Sequence, residues 1–131
     1  MEIIEIRTRA KEEFVDLTAE VDRVVAASGV ASGVCVVTVP HTTAGVTVNE
    51  NADPDVRADL LMTLRRIVPD AFPYAHAEGN SPAHVKTAIV GSSVSLIVES
   101  GRLQLGTWQG VFICEFDGPR TRKVWVQVVG K

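Results

Sequence analysis

Three histidines, His41, His76 and His84, are the residues of this 131-residue chain best suited to chemistry, since none lies inside an apolar run. A neutral imidazole ligates metals and is also the side chain that exchanges its proton near neutral pH. Carboxylates accompany them, with Glu50, Asp53 and Asp55 downstream of His41 and Glu78 beside His76. Imidazoles with a carboxylate suit a divalent ion with an open position, or general acid–base work, or both. No HExxH pattern or close-set ligand pair fixes the metal reading, and three separate surface histidines fit the same spacing.

A second set of residues suits anions. Gly79-Asn80-Ser81-Pro82 leads into a helix start, where free N–H groups and the positive end of the dipole favour phosphate, and Ser81, His84 and Lys86 add donors or charge. An ordinary capped helix carries the same Ser-Pro signal. Arg120, Arg122 and Lys123 offer another anion clamp, or a merely solvated cluster at a turn. Gly101, Gly106 and Gly110 surround Trp108, which has no apolar neighbour on either side. Such a stretch makes a tight hairpin with Trp108 in the core, or a pocket wall where Trp108 and Gln109 meet a flat ring.

The elements that must position these groups follow from periodicity. Val34 to Val39 reads as a buried strand ended by Pro40, which puts His41 at a rim. Thr43, Gly45, Thr47 and Asn49 then alternate with Ala44, Val46 and Val48, a strand with one apolar face. Asp53-Pro54 opens a helix whose apolar positions run Val56, Leu60, Leu61, Leu64, Ile67 and Val68 before Pro69. Residues 69–81 form a loop long enough to have a task, and a short helix is predicted from Pro82 to Val90. Upstream, residues 2–9 and Phe14 to Leu17 read as strands, and Thr18 caps a helix that Gly29 ends. Downstream the pattern is all strand. Val111 to Phe116 is apolar on both faces except at Glu115, and Asp117-Gly118-Pro119-Arg120 reads as a hairpin-like turn into Lys123 to Val129.

This order lacks steady βαβ alternation and predicts one α+β domain over residues 1–131. Strands apolar on both faces need covering by helices, a second sheet or another subunit. With 46% hydrophobic and 22% charged residues and a net charge of −3, the chain reads as soluble and offers no basic surface for nucleic acid. No signal-peptide order opens it and no apolar run approaches the ~20 residues of a membrane span, so the expected location is cytoplasmic. Cys35 and Cys114 sit in apolar runs and read as small buried hydrophobes.

Several segments together resemble the YjbQ-like family, whose members include proteins described as secondary thiamine-phosphate synthases. They are His41-Thr42-Thr43-Ala44 with Asn49-Glu50 and Asp53-Pro54, His76 with Glu78-Gly79-Asn80 and Ala83-His84, Ser93 through Gln109, and Glu115 through Arg120. The resemblance implies an α+β subunit of two packed, mainly antiparallel sheets with two or three helices, assembled as a homotrimer with sites near the subunit contacts. It implies that His41, His76 and His84 converge with Glu50 nearby, as catalytic residues and, for the histidines, as ligands of zinc or magnesium. The reaction so implied joins a pyrimidine-methyl diphosphate to a thiazole phosphate and releases diphosphate. Gly79, Asn80, Ser81, Lys86 and Arg120 would hold phosphate and Trp108 would border the ring pocket. Thr42, Thr43, Asn49, Thr107 and Gln109 complete the candidate substrate-binding set. A metal-assisted phosphoester hydrolase and a non-enzymatic trimer binding a metal or small molecule fit the same residues.

Overall fold

Alternating apolar residues build two sheets in a computed structural model describing residues 1–131. The elements in chain order are β1 (Glu2–Arg7), β2 (Glu13–Asp16), α1 (Thr18–Ser28), β3 (Ser32–Thr38), β4 (Ala44–Glu50), α2 (Pro54–Ile67), α3 (Ser81–Val90), β5 (Ser93–Glu99), β6 (Arg102–Leu103), β7 (Gln109–Glu115) and β8 (Thr121–Gly130). One antiparallel sheet has the order β1-β8-β3-β5-β6 and the other β2-β7-β4. This is the α+β arrangement of two packed sheets that the sequence predicts, with three helices.

The sheets share one core. Val37, Val98, Val124 and Val126 of the larger sheet meet Ala44, Val46, Val111 and Ile113 of the smaller, and Leu17, Val21 and Val25 close it. On the far side of the smaller sheet, Phe14, Phe112, Cys114 and Phe116 pack against Leu64 of α2 and Ala83 of α3. β7 is therefore covered on both faces, which accounts for its unbroken apolar run. The far side of the larger sheet has no such cover. Ile3, Val34, Ile97, Trp125 and Val129 remain exposed there, with Ile3 opposite Trp125 and Val34 flanked by Val129 and Ile97.

Local signals hold with small corrections. Asp53 accepts the Asp55 N–H at 2.9 Å to start α2, and Gly29 ends α1 at φ +72°. Thr18 lies inside α1 instead of capping it; its N–H donates to Asp16 Oδ1 at 2.9 Å and its hydroxyl accepts the Val111 N–H at 3.0 Å. Ser81 is likewise the first residue of α3, and Asn80 precedes it without a side-chain cap bond. The larger correction concerns residues 117–120. They join no hairpin, because β7 belongs to the smaller sheet and β8 to the larger. Gly118 passes so close to the chain opposite that a Cβ there would lie 2.4 Å from the Ala10 carbonyl oxygen.

Both cysteines are free and buried, and burial pushes their thiols up, Cys35 to about 11 and Cys114 further. Neither should react with a thiol reagent until the protein unfolds, and rapid labelling of one native equivalent would contradict this packing. Phe112→Ala, which empties the layer between β7 and the helices, should cost about 3–5 kcal/mol in denaturant unfolding.

Candidate functional site

The chain crosses between sheets three times at one end of the sandwich, from β1 to β2, from β3 to β4 and from β7 to β8. A buried ion pair ties these crossings. Glu115 shares the inward face of β7 with Val111 and Ile113, and Arg122 that of β8 with Val124 and Val126, so the two point at each other from opposite sheets. Arg122 Nε donates to Glu115 Oε1 at 2.9 Å and Nη2 to Oε2 at 2.5 Å. Nη2 also donates to Thr43 Oγ1 at 2.8 Å, and the Thr8 hydroxyl donates to Glu115 Oε1 at 2.7 Å while accepting the Arg120 N–H at 2.9 Å. Burial alone would push the Glu115 carboxyl up. The hydrogen bonds from Arg122, Thr8 and the Asp117 N–H outweigh it and hold the group below its ordinary range.

His41 stands over this pair. Its Nε2 accepts the Lys123 N–H at 2.9 Å, and burial, with the charges of Arg122 and Arg120, pushes the imidazole below its ordinary range against the opposing pull of Glu115 and of the Lys123 backbone. Arg120 Nη2 reaches Asp117 Oδ2 at 3.1 Å, the same oxygen that accepts Asn80 Nδ2 at 3.1 Å. The crossing end is thereby joined to the start of α3. That start is a poor anion cradle: Pro82 has no N–H, and the Ala83 and His84 N–H groups turn back onto the Asn80 carbonyl. Gly79, Asn80 and Lys86 line a polar cavity of about 60 Å³ with Lys11, Glu12, Asp70 and Asp117. It has room for a water or two and none for a diphosphate. Lys86 is buried and donates to Glu12 Oε2 at 2.6 Å, while Arg65 takes Glu12 Oε1 at 2.8 Å. Burial pushes the Glu12 carboxyl up, but Arg65 and Lys86 hold it below its ordinary range. The Lys86 charge is thus engaged within the fold and not presented to phosphate.

His76 and His84 form the most open part of the site. Their rings meet edge to face with centroids 5.3 Å apart, Glu78 Oε2 lies 3.9 Å from His76 Nε2, and Tyr74, Ser81 and Val85 complete a hollow of about 250 Å³. Nowhere in the chain do three or more His, Cys, Asp or Glu side chains form a group able to hold a metal ion. The expected meeting of His41, His76 and His84 with Glu50 therefore does not occur within one chain. For Glu50 the physical reason is β4: its seven residues separate the His41 end from Glu50 by about 20 Å. At the far end Glu50 Oε2 accepts the Asp53 N–H at 3.2 Å, and Asn49 borders a groove of about 470 Å³ with Phe14, Leu60, Leu64 and Ile89. Trp108 belongs to this end too, its carbonyl accepting the Asn51 N–H at 2.9 Å. It is 63% exposed, so the core reading of Trp108 fails, and Gln109 closes the Thr107-Trp108 turn by accepting the Gly106 N–H at 2.8 Å. Of the two threonines after His41, Thr42 is exposed and Thr43 buried on Arg122.

The sequence model for the family described as UPF0047 protein YjbQ-like matches residues 2–131. The chain belongs to the YjbQ-like UPF0047 family. It is 46% identical to UPF0047 protein YugU of Bacillus subtilis over 131 residues, covering 99% of each chain. Identity to UPF0047 protein MJ1081 of Methanocaldococcus jannaschii is also 46%, over 96% of this chain and 91% of that one. The crystal structure of an uncharacterized YjbQ/UPF0047 protein from Clostridium acetobutylicum superposes with a TM-score of 0.97 at 49% identity, covering 98% of this chain and 100% of that one. A YbjQ-like protein of unknown function from Sulfolobus solfataricus superposes at 0.96 with 31% identity, over 99% and 96% of the two chains. These four names state membership and no reaction. No helix of this family member is long and apolar enough to cross a membrane.

Glu115, Thr8, Asp117 and Glu12 organise this end of the YjbQ-like fold and were not singled out as site residues from sequence, while Arg122, read there as part of an anion clamp or a solvated cluster, is buried on Glu115. Period-2 parity carries the missing signal for the ion pair, since each charge continues an inward row of valines or isoleucine. Glu115→Ala should cost about 3–5 kcal/mol in unfolding free energy, because it leaves the Arg122 charge buried and unpaired. Both depressed carboxylates contribute stability in full above the 4.5 of a free glutamate, and it is lost as pH falls through their lower folded values. Acid unfolding of the wild type should therefore begin below pH 4.5, and a stability flat through that window would contradict the assignment.

Proposed function

We propose that this chain is a thiamine-phosphate synthase-type transferase that works as a homotrimer, with each site shared between neighbouring copies. The observation that carries the reading is the division of the expected site between two ends of β4. One end holds the three-crossing junction with His41 and Arg120, joined through Asp117 and Asn80 to the α3 start that carries His84. The other holds Asn49, Glu50 and the exposed Trp108. A neighbouring copy would supply the missing half, and the apolar outer face of the larger sheet is a surface on which copies can meet.

The synthase reading is supported by the family resemblance and by the demands of the reaction. A ring nitrogen of the thiazole phosphate bonds to the methylene carbon of the pyrimidine, the carbon–oxygen bond to diphosphate breaks, and its electron pair leaves with the diphosphate. The protein must align two rings and steady the departing charge, with little covalent work of its own. The His76–His84 hollow and Trp108 serve the rings, and His41, His84 and Arg120 supply donors to the phosphates. The three histidines do not assemble a zinc or magnesium site within one chain.

Diphosphate release from the pyrimidine diphosphate should depend on thiazole phosphate and fall about 100-fold or more in His84→Ala, with the assembly retained by mass measurement. No release from the wild type would remove the synthase reading. His84→Ala and Glu50→Ala, refolded together, should recover part of the activity that each lacks alone. Failure of the mixture, with both variants folded and assembled, would remove the shared site while leaving the reaction standing.

A further inference from the structure

The contact between His41 and β8 decides where the imidazole proton sits. The Lys123 backbone N–H lies 2.9 Å from His41 Nε2, and a backbone amide only donates. Nε2 must therefore keep its lone pair in that bond, which leaves the single proton of the neutral ring on Nδ1. The partner fixes the tautomer, as it does wherever one ring nitrogen faces an obligatory donor.

The same contact excludes the alternatives. A metal on Nε2 would displace the Lys123 N–H. A metal on Nδ1 would require the proton to move to Nε2, setting two donors face to face. Protonation of the ring has the same consequence. The position of the Lys123 N–H is itself well fixed, because the preceding residue is Arg122, buried on Glu115 and Thr43.

The groups around the ring are unequal in sign. Arg122 reaches it from β8, Arg120 from the crossing before β8 and Glu115 from β7, while Lys123 contributes its backbone. Arg122 is closed off by Glu115, and Arg120 shares Asp117 with Asn80. We infer that His41 is a neutral Nδ1–H donor for a phosphate oxygen of the ligand, beside Arg120, and not a metal ligand. This role deepens the phosphate handling in the proposed function and rests on that reading for its ligand class, but its test involves no turnover.

Long-range proton–nitrogen spectra of ¹⁵N-histidine-labelled protein, assigned with His41→Gln, read the tautomer directly. His41 should show a protonated Nδ1 and a bare Nε2, and keep them as the pH falls past the 6.5 of a free histidine. Inorganic phosphate and diphosphate should move the His41 Nδ1 signal with a saturable dependence, whereas Zn²⁺ should leave the His41 nitrogens in place. Arg120→Gln leaves the Lys123 backbone N–H in place, so the tautomer should persist while phosphate binds about two- to five-fold more weakly, the size of one exposed charge contact. An Nε2–H tautomer, Zn²⁺ broadening at His41, or phosphate shifts confined to His76 and His84 would each overturn the assignment. Loss of synthase turnover with these signatures intact would count against the reaction alone.

Discussion

The Glu115–Arg122 pair is the constraint on which the rest of this structure turns, because it is the one charged contact made inside the layer between the two sheets. Removing two charges from water is costly and is offset only when every remaining lone pair and proton is used. Here the use is thorough. Glu115 Oε1 accepts from Arg122 and Thr8, Oε2 from Arg122 and the Asp117 N–H, and the guanidinium also reaches Thr43. An apolar pair of equal volume would fill the same space. It would not fix Thr8, Thr43 and Asp117, which lie on three different crossings between the sheets.

From that junction, position is passed outward by direction-specific bonds. Arg122 holds the start of β8, so the next N–H, that of Lys123, meets His41 in one orientation. Asp117, held by its own N–H on Glu115, offers its carboxylate to Arg120 and Asn80, and Asn80 begins the turn into α3 and His84. Groups on loops thus inherit the rigidity of two sheets, the arrangement that precise chemistry needs. The opposite end of β4 is held more locally, with Glu50 bonding the turn three residues on and Gln109 closing its own loop.

What could be read from the sequence follows the range of the forces involved. The Asp53-Pro54 start of α2, the Gly29 stop of α1 and the apolar faces of β4 and β8 depend on neighbours in the chain, and these appear as expected. The order β1-β8-β3-β5-β6 depends on pairings across most of the chain, which no local signal encodes. Arg122 shows how a local reading goes astray: beside Arg120 and Lys123 it looks like part of a solvated basic cluster. Yet it continues the row of Val124 and Val126, and the pleat places alternate residues on one face whatever their charge. Lys86 behaves alike, falling three residues after buried Ala83 and so turning its ammonium inward to Glu12. For Trp108 it is the core alternative that errs, since a tight turn leaves the large ring amid its glycines in solvent.

The same geometry limits which assemblies would complete the site. A contact that joins the His41 end of one copy to the Glu50 end of the next is made between different patches, and such contacts either run on as filaments or close as rings. A trimer is the smallest ring in which every histidine end meets a Glu50 end through one repeated head-to-tail contact. A two-fold pair lying antiparallel would also match unlike ends, but it would need one face of the protein to reach from His41 to Glu50, about 20 Å along β4. Part of that strand is already occupied: Gly45 packs against the end of α3, where a Cβ would lie 2.5 Å from the Gly91 carbonyl oxygen, and Val46 donates its N–H to that same oxygen. With the end of α3 closing the start of β4 from within the chain, Val46 has no N–H left to offer a partner strand there. The uncovered face of the larger sheet and the two exposed ends are what a head-to-tail neighbour would have to use.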